Sequence, residues 1–225
     1  GCSLRSEMHW PKSLLQGASQ MFHMEQNLME ADFSQDLFSQ KCEPPTSPKM
    51  FAVKSIPKSV ASAVYKKSHY FGDKGFLHVY SFGALFEGYC WGALTFGIPN
   101  ARNIKGLYES HEQHGVLEIT RLAFEEGAPR NSPSRLISQA IKMVKQRYPL
   151  RLIITYADTA QDHDGGIYKA SNFKYHGLTA QKTDFVHSDG MIRKMKGVKY
   201  SEMEGNWVPR SRKHLFSYDM EKRDG

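Results

Sequence analysis

Hydrophobic positions change their spacing several times along this chain, and each change predicts a strand or a helix. Short apolar or alternating runs bounded by glycine, proline and polar residues predict strands at 50–54, 75–82, 85–96, 116–124 and 151–156. The Gly83-Ala84 pair between the second and third runs predicts a tight hairpin turn. The run at 151–156 is apolar and β-branched, which favours a strand buried on both faces. Two further strands are predicted near 177–187 and 190–196.

One helix is strongly indicated between the last two of the five runs. Ser132 is a good N-cap residue, and Pro133 suits the first helical position. An apolar stripe at helical spacing follows, formed by Leu136, Ile137, Ala140, Ile141 and Val144. Shorter helices are predicted at 57–65 and 166–172. Several strands followed by strand–helix–strand–helix predict an α/β fold, a mixed sheet flanked by helices.

The composition divides the chain into an extension, a domain and a tail. Residues 1–48 are rich in Met, Gln and Ser and end in a proline cluster, which predicts an N-terminal extension, partly helical over 20–38 or flexible. Residues 49–215 predict one domain, and residues 216–225 a C-terminal tail. No apolar run approaches the ~20 residues that span a bilayer, and the scattered cysteines lack CxxC spacing. These features predict a cytoplasmic protein that does not enter a membrane.

Positive charge is concentrated near the end of the domain. The chain has a formal net charge of +7, and much of the excess comes from Arg193, Lys194, Lys196, Lys199, Arg210, Arg212 and Lys213. Aromatic residues such as Tyr200 and Trp207 are interspersed among them. Cations neutralise phosphates and aromatic rings stack on bases, so the mixture is typical of a nucleic-acid-binding surface. A solvated basic segment with a few packing aromatics explains the same pattern.

The order strand–loop–helix–strand–helix, together with the sequence of the last helix, resembles the Gcn5-related N-acetyltransferase (GNAT) fold. The sequence Ile-Tyr-Lys-Ala-Ser-Asn-Phe at 167–173 is similar to the fourth helix of that fold and its exit. In GNAT proteins acetyl-CoA lies between two parallel strands, and its pyrophosphate binds at the start of the helix after the fourth strand. Here that helix begins near Ser132–Arg135. The family's glycine-rich turn is replaced by Pro129–Ser134, which makes an ordinary acetyltransferase a less expected function.

A narrower resemblance extends over about residues 50–215. Four short motifs, in the order in which they occur, resemble the Mom family of phage DNA-modification proteins. They are His69-Tyr70, residues 117–122 (Leu-Glu-Ile-Thr-Arg-Leu), residues 129–131 with Ser134-Arg135, and residues 156–158 leading to Tyr168. This resemblance implies an enzyme that attaches a methylcarbamoyl group to adenine N6 in double-stranded phage DNA within the host cytoplasm. The modification would protect the DNA from host restriction nucleases. Acetyl-CoA and iron are the cofactors that the resemblance implies.

The same resemblance assigns roles to particular residues. It implies His69, Tyr70, Asp158 and Tyr168 as catalytic residues and metal ligands. Imidazole, phenolate and carboxylate donors suit iron, and Asp158 comes just past a buried strand, where α/β proteins bind ligands. A capped helix end at His69-Tyr70 and a capping role for Asp158 explain these residues equally well.

For the acyl-CoA, the resemblance implies Arg121, Asn131, Ser134 and Arg135. Each of these roles has a structural alternative. Ser134 could simply be a polar residue at the start of a helix, and Arg121 could pair with Glu118 or Glu125. Two other functions stay open at this point. One is an acetyl-CoA-dependent N-acetyltransferase acting on a small amine or a protein. The other is a nucleic-acid-binding protein without catalytic activity on the same scaffold.

Overall fold

A computed structural model describes residues 41–70, 72–73, 75–147, 149–161, 164–190 and 204–220. Within these ranges the strands are β1 (Ala52–Ser55), β2 (Tyr80–Phe86), β3 (Tyr89–Gly97), β4 (Val116–Phe124), β5 (Leu152–Asp158), β6 (Lys174–Leu178), β7 (Thr183–His187), β8 (Gly205–Pro209) and β9 (Lys213–Asp219). The helices there are α1 (Lys58–Ser68), α2 (Ser132–Lys145) and α3 (Gly166–Ala170). None of these helices is long and apolar enough to cross a membrane. The helix predicted over 20–38 lies outside the described residues.

Seven of the described strands form one mixed sheet. Their order is β1-β2-β3-β4-β5-β9-β6, and β7 and β8 form a separate two-stranded sheet. Strands β4 and β5 are parallel, with Val116–Ile119 paired to Leu152–Thr155, and α2 makes the crossover that parallel strands require. The β1–β2, β2–β3, β5–β9 and β6–β9 pairs are antiparallel. This architecture confirms the predicted α/β class.

The chain forms two compact units, the first of which contains residues up to Gly97 and Thr120–Leu150. In this unit α1 packs on β2 and β3, and α2 packs on β1, β2 and β3. The buried side of α1 carries Val60, Ala61, Val64 and Tyr65. This helical spacing turns one face of α1 onto the sheet, where it meets Leu85 and Ala93 in a continuous apolar cluster.

The turn between β2 and β3 lies at Glu87-Gly88, so the predicted turn at Gly83-Ala84 is wrong. Both Glu87 and Gly88 have positive φ, 48° and 78°, which is the backbone of a tight two-residue hairpin turn. Gly83 instead lies inside β2 and pairs with Ala93. A Cβ on Gly83 would lie 2.9 Å from an Ile56 side-chain carbon, so close packing rather than a turn requires glycine there.

Helix α2 confirms its predicted apolar stripe and corrects its predicted start. Leu136, Ile137, Ala140, Ile141 and Val144 are all buried. The N-cap is Asn131, in the left-handed conformation at φ 71°, and Ser132 is already the first helical residue. The Ser132 hydroxyl donates to the Pro129 carbonyl at 2.6 Å instead of capping a helical N–H. Asparagine tolerates positive φ better than most residues, which explains its place at this entry.

The second unit contains Ile98–Ile119 and Arg151–Gly225. One face of its sheet carries a buried cluster of Tyr108, Val116, Leu152 and Ile154, against which Tyr156 and Leu215 pack. Strand β5 extends through Asp158, so this residue ends the strand rather than following it as predicted.

The residues after α3 differ most from the prediction. The single strand predicted over 177–187 is wrong because the chain leaves one sheet after Leu178 and enters another at Thr183. Strands β8 and β9 were not predicted, and the strand predicted at 190–196 lies almost wholly outside the described residues. Strand β9 crosses the predicted tail boundary at residue 216, and Phe216 and Ser217 are buried in it.

Candidate functional site

His69 and Tyr70 lie together at the carboxyl end of α1. His69 is the C-cap residue, and its backbone N–H donates to the Tyr65 carbonyl at 2.9 Å. The His69 and Tyr70 rings stack with centroids 4.6 Å apart and planes 21° from parallel. The Tyr70 side chain is 46% exposed. An imidazole and a phenol are therefore held in contact with each other at an accessible helix end.

A row of aromatic rings continues from this pair within the first unit. Tyr65 meets His69 edge-on at 6.1 Å and Phe76 at 5.2 Å, and Phe76 is followed by His78 at 6.5 Å. Burial, aided by the charge of Lys58, lowers the pKa of His78 to about 4. His78 is thus a neutral imidazole at physiological pH. No sequence motif marks His78, because the groups around it come from α1 and from the segment before β2.

Arg121 lies in the half of β4 that belongs to the first unit. Its Nη1 donates to the Thr120 carbonyl at 2.8 Å, and the side chain is half-buried. Tyr65 is fully buried and hydrogen-bonded to Thr95, with 2.7 Å between the hydroxyl oxygens. Burial raises the pKa of Tyr65, while the hydrogen bond with Thr95 and the charge of Arg121 act in the opposite direction. Arg121 therefore brings a positive charge close to the buried phenol.

The start of α2 carries three of the predicted acyl-CoA contacts. Asn131 is the exposed N-cap, and Ser134 is half-buried in the first helical turn. The Arg135 side chain donates from Nη2 to the carbonyls of Phe51 at 3.4 Å and Lys49 at 3.5 Å. These two long contacts direct the arginine toward the carbonyls beside the helix start. The first backbone N–H groups of a helix and its dipole attract anions, and the nearby guanidinium adds to that potential.

Asp158 is buried and caps a short turn. The side chain is 7% exposed, and its Oδ1 accepts from the Ala160 N–H at 3.0 Å. It shares the face of β5 that carries Tyr156, since side chains two residues apart point the same way. The contacts of Asp158 are therefore those of a capping residue, which is the alternative role that the sequence left open.

Tyr168 packs on the other face of the same sheet. Its ring contacts Phe216 at 5.6 Å and Phe173 at 5.7 Å. Phe216 pairs with Thr155 in register, and Thr155 points away from the face of Tyr156. The pleat of β5 therefore directs Asp158 and the Tyr168 cluster to opposite sides of the second unit.

These positions bear on the predicted iron ligands. His69 and Tyr70 belong to the first unit, and Asp158 and Tyr168 to the second. The donor types suit iron, but Asp158 and Tyr168 do not face each other, so as placed they do not fit one ion together. Among the described residues, no group of three or more His, Cys, Asp or Glu side chains is arranged to hold a metal. Iron stays a prediction drawn from donor type and resemblance.

The predicted DNA-binding cations are only partly within the described residues. Arg193, Lys194, Lys196 and Lys199 lie outside them. Arg210 forms two 2.8 Å contacts with the Asp184 carboxylate, and Arg212 donates to the Thr179 carbonyl at 2.8 Å. Lys213 begins β9 and pairs with Asp158 in register. Arg210 and Arg212 thus hold the second unit together, and DNA contact by these residues stays a prediction.

A buried carboxylate that the sequence did not reveal lies just after β4. Glu125 is 9% exposed and accepts a 2.5 Å hydrogen bond from the Tyr89 hydroxyl. Lys41 and Lys67 approach it at 3.2 Å and 3.6 Å. Burial by itself raises the pKa of Glu125, but the Tyr89 hydrogen bond and the two ammonium groups together lower it below its ordinary value. No short sequence motif predicts the contacts of Glu125, because the residues that contact it are far apart in the chain.

Three comparisons relate the chain to known proteins. The methylcarbamoylase Mom of Escherichia phage Mu is 28% identical over 148 residues, which are 63% of this chain and 59% of that relative's length. The ribosomal-protein-S18-alanine N-acetyltransferase of Escherichia coli is 10% identical with a TM-score of 0.48, over 76% of this chain and 94% of that chain. A Bacillus subtilis acetyltransferase in complex with CoA is 10% identical with a TM-score of 0.47, over 76% and 99%.

The match to a family model is the broadest of these relationships. It covers residues 50–224, a range that includes every described strand and helix from β1 to β9. The match confirms the resemblance drawn from the short motifs, and it shows that the chain belongs to the Mom protein family.

Proposed function

We propose that this chain is an enzyme that modifies adenine N6 in DNA with a group derived from acyl-CoA. The observation that carries the proposal is the family match over residues 50–224. Similarity to the phage Mu methylcarbamoylase supports the same activity. A methylcarbamoyl product and protection of phage DNA from host restriction are the finer form of this proposal, and they rest on the resemblance alone.

The first unit supplies a place for the cofactor's phosphates. The opening N–H groups of α2 and the Arg135 guanidinium, directed toward the carbonyls of Lys49 and Phe51, create a positive potential there. Asn131 begins the helix without a side-chain cap bond, and Ser134 adds a hydroxyl in the first turn. We assign the pyrophosphate of acyl-CoA to this helix start.

The His69-Tyr70 pair supplies a group for proton transfer. In acyl transfer to adenine, N6 forms a bond to the acyl carbon and loses a proton, while the thioester C–S bond breaks and the sulfur gains a proton. Imidazole is the most common side chain for removing such a proton, and Tyr70 stacks on His69 and orients its ring. We therefore assign His69 as the base and Tyr70 as the residue that positions it.

The target amine lies within the base stack of duplex DNA, so it must leave the stack before it can react. Extruding a paired base costs a few kcal/mol, and contacts with the DNA must supply that free energy. A methylcarbamoyl group also contains a nitrogen that an acetyl group lacks. The finer reaction must therefore break the bond between the methyl and carbonyl carbons and insert N–H between them, so it needs a nitrogen donor and a two-electron oxidant in addition to acetyl-CoA.

Nucleoside mass spectrometry tests the proposal. Plasmid DNA from cells expressing the wild type should contain a modified deoxyadenosine that is absent without the protein. His69→Ala should reduce the adduct by roughly 100-fold or more, as expected for loss of a general base. Tyr70→Phe keeps the stacked ring and should retain most of the activity, as expected for a residue that only positions His69; a loss as large as that of His69→Ala would instead support the predicted role of the Tyr70 hydroxyl as a metal ligand.

Unmodified DNA from cells with abundant folded wild-type protein would overturn the proposal. If that protein bound CoA, it would be an acetyltransferase with another acceptor. If it bound DNA but not CoA, it would be a binding protein on this scaffold. Equal adduct levels in the wild type and His69→Ala would refute only the assignment of the base.

A further inference from the structure

The two-stranded sheet of the second unit presents an exposed tryptophan. Strands β7 and β8 pair from Thr183 with Pro209 to His187 with Gly205. Phe185 and Trp207 are partners in this register, so their side chains share one face, and their rings meet at 5.4 Å and 71°. Phe185 is only 6% exposed, whereas Trp207 is 56% exposed. The ribbon therefore holds a large aromatic side chain in solvent.

The ring under Trp207 is tightly held. Phe185 lies over Gly205, where an added Cβ would stand 2.7 Å from two atoms of the Phe185 ring. His187 meets the same ring edge-on, with 5.3 Å between the centroids. Because Phe185 is confined between these neighbours, it gives Trp207 a rigid support. A pre-positioned aromatic side chain loses little conformational entropy when it binds.

Polar contacts fix the other end of the ribbon. Arg210 contacts the Asp184 carboxylate through both Nε and Nη2 at 2.8 Å, and its backbone N–H donates to the Lys182 carbonyl. Beyond it, Arg212 and Lys213 continue the chain into β9. The exposed Trp207 thus lies on a register-locked ribbon that ends in the Arg210–Asp184 pair and is followed by the cationic residues Arg212 and Lys213.

This combination suits nucleic acid better than an apolar protein surface. Two-stranded ribbons fit the DNA major groove, and an exposed aromatic face stacks on bases without regard to sequence. Arg212 and Lys213 match the charge of phosphates, and the chain as a whole carries +7. A hydrophobic protein partner would have to cover these charges as well as the indole.

We propose that Trp207 stacks on a DNA base that has lost its neighbour when the target adenine is extruded. This inference rests on the proposed function, which supplies the extruded adenine, and it adds the residue that stabilises the opened duplex. Stacking holds the DNA in the reactive state without neutralising any phosphate. Trp207 therefore contributes to affinity for opened DNA and leaves the salt dependence of binding unchanged.

The test compares three variants in binding to a fluorescent duplex that contains one mismatched adenine. Trp207→Ala should weaken binding by about 5- to 150-fold, the range for loss of one base–aromatic stack. Trp207→Phe keeps an aromatic face and should retain most of the affinity. Val208→Ala is the matched control, because Val208 is similarly exposed but pairs with Asp184 on the opposite face. The slope of affinity against salt should be equal in all four proteins.

Tryptophan fluorescence provides a readout that does not depend on the alanine variant folding. DNA should quench the tryptophan fluorescence of the wild type more than that of Trp207→Phe. This difference should disappear when the base next to the mismatched adenine is missing from the duplex. If folded Trp207→Ala binds the mismatched duplex as tightly as the wild type does, the inference is overturned. The proposed function would still stand as long as the wild type forms the adenine adduct. Failure of the wild type to bind DNA or form the adduct would overturn both. Concentration-dependent dimerisation abolished by Trp207→Ala would assign the surface to a second copy of the chain instead.

Discussion

Replacing Glu125 by Gln tests whether its buried carboxylate stabilises the first unit through charge. Gln keeps an oxygen that accepts from the Tyr89 hydroxyl, but it removes the negative charge that Lys41 and Lys67 approach. Burial raises the pKa of Tyr89 to about 12, with the Glu125 hydrogen bond as the next cause, so the phenol remains a donor at every pH of interest. The variant thus isolates the charge with little change in shape.

The expected loss follows from the exposure of the partners. A hydrogen bond to a charged group contributes ~1.5–3 kcal/mol and a neutral one ~1 kcal/mol, so losing the charge removes about 1 kcal/mol. Lys41 and Lys67 are 49% and 54% exposed, and solvent screening limits each ion pair to roughly 0–1 kcal/mol. We expect Glu125→Gln to lower the free energy of unfolding by about 1–2 kcal/mol at pH 7.

The pH dependence gives the sharper test. The pKa of Glu125 is lowered in the folded state from its ordinary value of 4.5. Its contribution to stability is therefore complete above pH 4.5 and is lost as the pH falls through the folded pKa. In denaturant unfolding from pH 7 to pH 3, the difference between wild type and Glu125→Gln should shrink below pH 4.5. The exposed neighbour Glu126 provides the control, Glu126→Gln. A difference that stays constant with pH, or a variant as stable as the wild type at pH 7, would refute this account.

Two further predictions concern the first unit. Gly92→Ala should lower the free energy of unfolding by ~1–3 kcal/mol through overpacking, because its Cβ would lie 2.5 Å from atoms of the Phe124 ring. In thermal unfolding, the double variant Gly92→Ala with Phe124→Leu should recover part of the lost stability. A double variant that recovers none of it would contradict the assigned clash. His78 should titrate near pH 4 in an NMR titration, and since this folded pKa lies below the unfolded value, His78 should withdraw stability as the pH falls below about 6.5. Titration of His78 near 6.5 would show that it is not buried as described.

Much of the fold follows from local pattern. Strand β4 begins and ends at the predicted residues, and the stripe of α2 is buried as its spacing indicates. The errors fall where tertiary contacts outweigh local preference. Gly83-Ala84 has turn composition, yet the turn forms at Glu87-Gly88, where a non-glycine residue adopts positive φ. Strand β9 has charged residues at both ends and an irregular mixture of apolar and polar residues between them, so no pattern predicts it, and its place between β5 and β6 buries Phe216.

The candidate site was predictable to a smaller degree. The place of His69 and Tyr70 at a helix end and the anion-attracting start of α2 follow from the helix predictions, whereas the stacking of the two rings does not. The opposed directions of Asp158 and Tyr168 depend on the pairing of β5 with β9, which the sequence did not indicate. The Glu125 network joins Lys41, Lys67 and Tyr89, residues related only through the folded structure.

The most direct test of the central claim is a reaction of purified protein, unmodified DNA and acetyl-CoA labelled with deuterium in its methyl group, run in a filtered cell extract that supplies the further co-reactants. After digestion to nucleosides, mass spectrometry should show a modified deoxyadenosine that carries the label and requires the protein. His69→Ala should give little of this product. A labelled product on protein or on a small amine, with deoxyadenosine unchanged under conditions where the protein is folded and binds CoA, would contradict the assignment of DNA adenine as the substrate.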